Sequence, residues 1–203
     1  MKKIIMASDN AHKLEEIRRY FREAEIPAEI IPLRDSGFSG EIVEDGVTFE
    51  ENALIKARTV ALATGCAAIA DDSGLEVDAL HGAPGVYSAR FAGVHGDDNA
   101  NNAKLLQELA GVPDCKRTAR FVSVICVYRE DGEFVTVRGT AEGLILTEKQ
   151  GSGTFGYDPL FYYPPFGKTT AEVSPEQKNA VSHRGVALQK FYEKMKEAGY
   201  ADK

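Results

Sequence analysis

The segment Lys2-Lys-Ile-Ile-Met-Ala-Ser-Asp-Asn-Ala-His-Lys13 decides the fold class. Lys2–Ala7 is a compact apolar run of strand length. A polar junction follows, and from about Ala11 the apolar residues Leu14, Ile17, Phe21 and Ala24 recur at helical spacing. A strand that passes through a short junction into an amphipathic helix is the opening unit of an α/β protein.

The same order returns downstream. Ala28–Pro32 reads as a second strand, and Leu33–Val47 as a polar connection. A helix runs from Thr48 to about Thr64, with Ala53, Ala57, Val60 and Ala61 on one face and Gly65 as its stop. Ala67–Asp71 is a further strand, expected to end at its two carboxylates. Gly74–Gly93 reads as loop, and Asp97–Ala110 as a helix with Leu105, Leu106 and Leu109 inward. Ala119–Tyr128 and Glu133–Leu146 alternate apolar and polar residues around Asp131-Gly132, which predicts a hairpin. Gly151–Lys178 is irregular and aromatic, and Ser182–Ala198 closes the chain as a helix. The expectation is an α/β fold: a mixed twisted sheet with flanking helices. A single domain over residues 1–203, elongated and two-lobed around a central cleft, is the expected arrangement.

Composition limits the function classes. The 203 residues are 43% hydrophobic and 27% charged, as in a globular protein with a real core. No apolar run approaches the roughly 20 residues that span a bilayer, and the apolar stretch before Asp9 is too short for a secretory signal. Cys66, Cys115 and Cys126 are odd in number and widely spaced, so they outline neither a disulfide framework nor a zinc site and fit a reducing cytoplasm. The net charge of −7 opposes nucleic-acid tracking, which needs surplus cations. A few lysines focused on one site could still hold a small phosphate ligand.

Five constellations could carry chemistry, and each has an innocent local alternative. Ser8, Asp9, Asn10, Ala11, His12 and Lys13 form a strand-to-helix junction, where exposed backbone N–H groups attract anions. Lys13 sits in a first turn that dipole logic reserves for acids, so it is either solvated or compensated by an anion. Thr48 and Glu51 satisfy a capping box, which explains Glu51 without any metal; Lys56 follows on the same helix. Asp71 and Asp72 are the strongest signal, because adjacent strand residues face opposite ways and two hard carboxylates suit Mg²⁺. Gly151-Ser-Gly-Thr-Phe-Gly156 matches GxGxxG, but Tyr157-Asp158-Pro159 forbids the helix that a dinucleotide fingerprint requires. What remains is a loop presenting Phe155, Tyr157 and Asp158, fit either for a base or for core anchoring. Lys178 and Ser182-His183-Arg184 again place cations at a helix start. The four histidines His12, His81, His95 and His183 show no metal-ligand spacing.

Taken together, these residues resemble the inosine triphosphate pyrophosphatase family, also called XTP/dITP pyrophosphatases. The matching motifs are Ser8-x-Asn10-x-x-Lys13, Thr48-Phe-x-Glu-Asn-Ala-x-x-Lys56-Ala57, Ala70-Asp-Asp-Ser-Gly-Leu-x-Val-Asp78, Gly82-Ala-Pro-Gly-Val-Tyr-Ser-Ala-Arg-Phe91, Gly153-x-Phe-Gly-Tyr-Asp-Pro159 and Lys178-Asn-x-x-Ser-His-Arg184. They run in family order across nearly the whole chain. Ser8 stands where Thr is common, Asp9 adds an acid, and His12 replaces the usual Gly.

The resemblance implies a Mg²⁺-dependent hydrolase that converts non-standard purine nucleoside triphosphates (ITP, dITP, XTP) to the monophosphate and pyrophosphate, cleansing the nucleotide pool. It implies that Ser8, Asn10 and Lys13, from a substrate-binding run Ser8 to Lys13, hold the triphosphate together with Lys56 and Lys178. Asp72 and Glu51 would bind Mg²⁺ with Asp71 in support, and Asp72 would activate water, with Lys13 and Lys56 aiding catalysis. Ser73, Phe155, Gly156, Tyr157, Asp158, His183 and Arg184 would line the nucleoside pocket. A cytoplasmic homodimer is also implied, with no nucleic-acid or membrane partner. Two alternatives stay open: a pyrophosphatase for another modified nucleotide, or a nucleotide-binding module without turnover.

Overall fold

The computed structural model describes residues 2–152, 155–174, 177–178 and 182–197. Gly153, Thr154, Asn179 and Ala198, named above, lie outside them. Among the described residues seven strands form one sheet: β1 (Lys2–Met6), β2 (Ala28–Ile31), β3 (Ala67–Val77), β4 (Thr118–Tyr128), β5 (Phe134–Ile145), β6 (Phe161–Tyr163) and β7 (Lys168–Thr169), in the order β2-β1-β3-β4-β5-β6-β7. β1 pairs in parallel with β2 and with β3, whereas β6 pairs antiparallel with β5 and with β7. The sheet is therefore mixed. Parallel neighbours need a crossover, and α1 (Ala11–Glu23) and α2 (Phe49–Thr64) supply it between β1, β2 and β3. Later helices include α3 (Asp98–Glu108) and α4 (His183–Glu197). Among the described residues no helix is long and apolar enough to cross a membrane.

The chain divides into two compact units. The first comprises Met1–Asp72, Ser123–Gly139 and Arg184–Lys203; the second comprises Ser73–Val122 and Thr140–His183. In the first unit, Ile17 and Phe21 of α1 are buried one turn apart against Ile4, Met6, Ile69 and Ile125, with Leu188 and Phe191 of α4. Phe21 and Phe191 stack with ring centroids 6.2 Å apart. β2 is an edge strand, and Arg18 of α1 donates twice to its Ile30 carbonyl, at 3.1 and 2.8 Å. α2 ends at Gly65 with φ +67°, a left-handed cap that a Cβ would strain.

In the second unit Leu75, Val77, Leu105, Leu109, Ile145, Leu160 and Phe161 form the core. Arg117 is buried beside them. Its guanidinium donates to the carbonyls of Ile145, Leu109 and Leu146 at 2.7, 2.9 and 2.9 Å, which satisfies a charge that would otherwise be costly to bury.

Two expectations need correction. β3 does not end at its acids: it continues through Asp71-Asp72-Ser73-Gly74 to Val77. The period-two pattern resumes beyond them, with Leu75 and Val77 fully buried. Gly74 lies within this strand, where a Cβ would meet Ser88 Oγ at 2.4 Å and the Gly85 carbonyl at 2.8 Å. The aromatic stretch before Lys178 is also not wholly irregular, since it contains β6 and β7. The hairpin is as expected. β4 and β5 are neighbours, the turn closes with an Arg129 N to Glu133 O bond of 2.8 Å, and Gly132 adopts φ +90°.

Candidate active site

Asp71 and Asp72 occupy successive positions of β3, so the pleat sends them to opposite faces, and the two acids have unlike surroundings. Asp71 is fully buried. Its carboxylate accepts from Arg184 Nε and, at 3.2 Å, from Ser123 Oγ, while Lys13 Nζ lies 3.8 Å away. Arg184 donates in turn to Glu16, so its guanidinium lies between two carboxylates. Burial disfavours the Arg184 charge, but Asp71 and Glu16 more than restore it.

Asp72 is half-buried and meets Lys56 at 2.6 Å; the same ammonium donates to Glu44 at 2.7 Å. The carboxylates of Asp72 and Glu44 can thus be no further apart than these two bonds laid end to end. Burial works against the Lys56 ammonium, yet Asp72 and Glu44 outweigh it and hold its pKa above the ordinary lysine value. Burial lifts the Asp72 carboxyl above its usual range, an effect that Lys56 and Lys13 offset only in part.

The N-terminus of α1 places Lys13. Asn10 caps the helix by accepting from Lys13 N at 3.1 Å, and Asn10 N donates to Ser8 Oγ at 3.2 Å. Asp9, Ala11 and His12 are exposed on this turn. Lys13 Nζ reaches the Asp71 carbonyl at 3.1 Å. Burial lowers its pKa, Asp71 counteracts in part, and Arg184 and Lys56 lower it further.

The start of α2 places Glu44. Thr48 Oγ1 accepts from Glu51 N at 3.1 Å, and the Glu51 carboxylate accepts from Val47 N at 2.7 Å. Asn52 Oδ1 accepts from Gly46 N at 2.9 Å, where a Cβ on Gly46 would come within 2.7 Å of it. These bonds fold the 44–47 segment back over the helix end. Sequence reasoning missed Glu44: its only signal was an acid in a polar connection just ahead of a capping box.

In the second unit, Asp158 is buried and accepts from Thr170 Oγ1 at 2.9 Å and from Lys178 Nζ. Lys178 Nζ also lies 5.6 Å from the centroid of the Phe155 ring, which is 63% exposed. Gly156, with φ +55°, donates to Asp98 Oδ2 and accepts from Asn102 Nδ2, both at 2.7 Å. Tyr157 OH donates to the Ser88 carbonyl at 2.9 Å, and burial pushes its phenol pKa up. The His183 ring stacks on Phe121 with centroids 5.3 Å apart. A small cavity of about 20 Å³ is lined by Phe121, Phe161, Tyr163, Thr170, Lys178 and His183. Ser73 is half-buried, directly after Asp72 in β3.

The structure therefore gathers Lys13, Lys56, Asp71, Asp72 and Arg184 in the first unit, and Phe155, Gly156, Tyr157, Asp158, Lys178 and His183 in the second. Arg184, expected beside His183 at a nucleoside, donates to Asp71 and Glu16. Among the described residues no three His, Cys, Asp or Glu side chains are grouped to hold a metal.

The Ham1 family profile matches residues 4–194, which include every residue of both clusters. The chain belongs to the Ham1 family. It is similar to the dITP/XTP pyrophosphatase of Clostridium perfringens, with 48% identity over 97% of this chain and 98% of that one. The dITP/XTP pyrophosphatase of Desulforamulus reducens is 50% identical over 94% of each chain. Among solved Ham1 structures, that of Staphylococcus aureus superimposes with a TM-score of 0.88 at 40% identity, covering 97% of this chain and all of that one. The HAM1 protein of Coxiella burnetii gives 0.89 at 41% identity, over 97% of this chain and 100% of the other.

Proposed function

We propose that this chain is a nucleoside triphosphate pyrophosphatase that hydrolyses dITP, XTP and ITP to the monophosphate and pyrophosphate, removing non-standard purines from the nucleotide pool. The observation that carries it is the β3 acid pair. One carboxylate is locked by Arg184, and its neighbour shares Lys56 with Glu44. Relatives that cover nearly the whole chain and are dITP/XTP pyrophosphatases support it.

Magnesium suits this donor set. Mg²⁺ is usually held by one or two carboxylates together with substrate phosphates and waters, and Asp72 and Glu44 are two carboxylates drawn together by one ammonium. They are the residues that would hold it; Glu51 caps its own helix and Asp71 is occupied by Arg184 and Ser123. When bound, the ion neutralises phosphate charge and polarises the reacting phosphoryl group.

The chain's own residues do the rest. Asp72, with its carboxyl lifted by burial, takes a proton from the attacking water as that water bonds to the α-phosphorus. The bond from the α-phosphorus to the bridging oxygen breaks, and pyrophosphate leaves with its electron pair. Lys13 and Lys56 stabilise the charge that builds on it, and Ser8 and Asn10 offer donors at the α1 terminus. Phe155 offers a ring face to the purine, and His183 is the donor for a 6-keto oxygen, where adenine would set donor against donor. The protein acts in the cytoplasm as a homodimer. That reading rests on the family resemblance, and the three unbridged thiols agree with the compartment.

The test is a substrate panel with Mg²⁺. ITP, dITP and XTP should turn over far faster than ATP, releasing pyrophosphate. Equal rates, or orthophosphate as product, would count against the proposal. Preference for a modified pyrimidine would redirect the substrate, and tight ITP binding without turnover would leave only a binding module.

A further inference from the structure

α3 carries two polar residues whose roles its own helix does not explain. Asp97 already caps it, accepting from Ala100 N at 2.9 Å. The next acid, Asp98, instead reaches the Gly156 N–H at 2.7 Å, across 58 residues of sequence. One turn on, Asn102 is 2% exposed, and its Nδ2 donates to the Gly156 carbonyl at 2.7 Å as well as to Asp98 O at 2.6 Å. No donor among the described residues meets its Oδ1. A leucine would fill such a buried helix position without an unmatched oxygen, so the amide is there for its nitrogen.

Both peptide groups flanking the Gly156 Cα are thus held by one face of α3. Gly156 adopts φ +55°, a conformation that other residues rarely take. Fixing it sets the directions of its neighbours: Phe155, the exposed ring, and Tyr157, whose hydroxyl is tied to Ser88. We propose that Asp98 and Asn102 are positioning residues that clamp Gly156 and so pre-organise the 155–158 segment for the purine base. This rests on the pyrophosphatase reading above and deepens it: nucleoside affinity depends on a helix that contributes no proposed substrate contact. Pre-organised segments bind more tightly because less ordering remains to be done on binding.

The test uses Asn102→Leu, which keeps the buried volume, and Asp98→Ala, in the full chain with Mg²⁺. Steady-state kcat and KM are measured for ITP and ATP, together with the inhibition constant of pyrophosphate, which has no base. The clamp predicts that KM for ITP rises roughly tenfold while kcat stays within about twofold and pyrophosphate inhibition is unchanged. The preference for ITP over ATP should fall in parallel, and Asp98→Glu should recover more of it than Asp98→Ala. Unchanged KM in both variants, or parallel weakening of pyrophosphate, would overturn the proposal. A parent enzyme that releases no pyrophosphate from any triphosphate counts instead against the function itself. ITP affinity of the parent and of Asn102→Leu then decides the clamp, with equal affinities refuting it.

Discussion

Asp71 and Arg184 meet as an ion pair although 113 residues separate them in sequence, with the carboxylate wholly buried and the arginine side chain 11% exposed. Removing Arg184 strips the buried Asp71 carboxylate of its hydrogen-bonded counter-ion, although Lys13 still lies 3.8 Å away and Ser123 still donates to it. Arg184→Met should therefore destabilise the protein by roughly 3–5 kcal/mol, read from urea unfolding at unchanged m. A curve superimposable on the parent's would remove the pair from the stability of the first unit.

Asp72→Asn removes the base while leaving a side chain of the same shape. Turnover of ITP should drop roughly a hundredfold to ten-thousandfold, with the unfolding midpoint little changed. The parent's rate should fall as the medium is acidified through the lifted Asp72 pKa, which lies above the ordinary 3.8. Retained activity in the variant would take Asp72 out of the mechanism.

Asp78 gives a stability signature in acid. Hydrogen bonds from Arg120 and then Thr118 hold its carboxyl below the ordinary 3.8. A depressed folded pKa stabilises the fold above the unfolded value, and that contribution is lost as pH falls through the folded one. The side chain is 47% exposed, so the effect is modest. Acid titration of Arg120→Met should show a shallower loss of stability below pH 3.8 than the parent, and identical acid limbs would contradict this.

The thiols should react in order of exposure. Burial pushes Cys126 up to about 11, whereas Cys115 is exposed and Cys66 half-buried. With an alkylating reagent near pH 8, mass spectrometry should find Cys115 modified first and Cys126 only after unfolding. Early labelling of Cys126 would mean that β4 opens locally.

Gly74→Ala should be poorly tolerated, because the new methyl would meet Ser88 Oγ at 2.4 Å and the Gly85 carbonyl at 2.8 Å. Overpacking of this kind costs roughly 1–3 kcal/mol. An unchanged unfolding midpoint would show that the Ser88 segment gives way freely.

The elements legible in the sequence are those whose burial pattern is local. Ile17 and Phe21 announce α1 by spacing alone, and Asp131-Gly132 marks the turn between β4 and β5. β3 was cut short because Asp71 and Asp72 interrupt the apolar run, and nothing local shows that Leu75 and Val77 resume it on the far side. β6 and β7 are too short for any period to register. The site divides in the same way. Asp72 stood out by residue type and Lys56 entered only through the family resemblance, but Glu44 comes into place only through bonds from Gly46 and Val47 to side chains of α2. The role of Arg184 depends on Glu16 and Asp71, partners distant in sequence that no spacing could nominate.

The two bonds from Arg18 to the Ile30 carbonyl also bear on how the chain behaves before it is complete. A bare outer strand is a template on which another molecule can lay its own backbone. While α1 is undocked that oxygen is unguarded, so self-association should begin in chains whose first helix has yet to settle. Arg18→Ala would prolong that vulnerable interval without touching a single residue of the proposed chemistry.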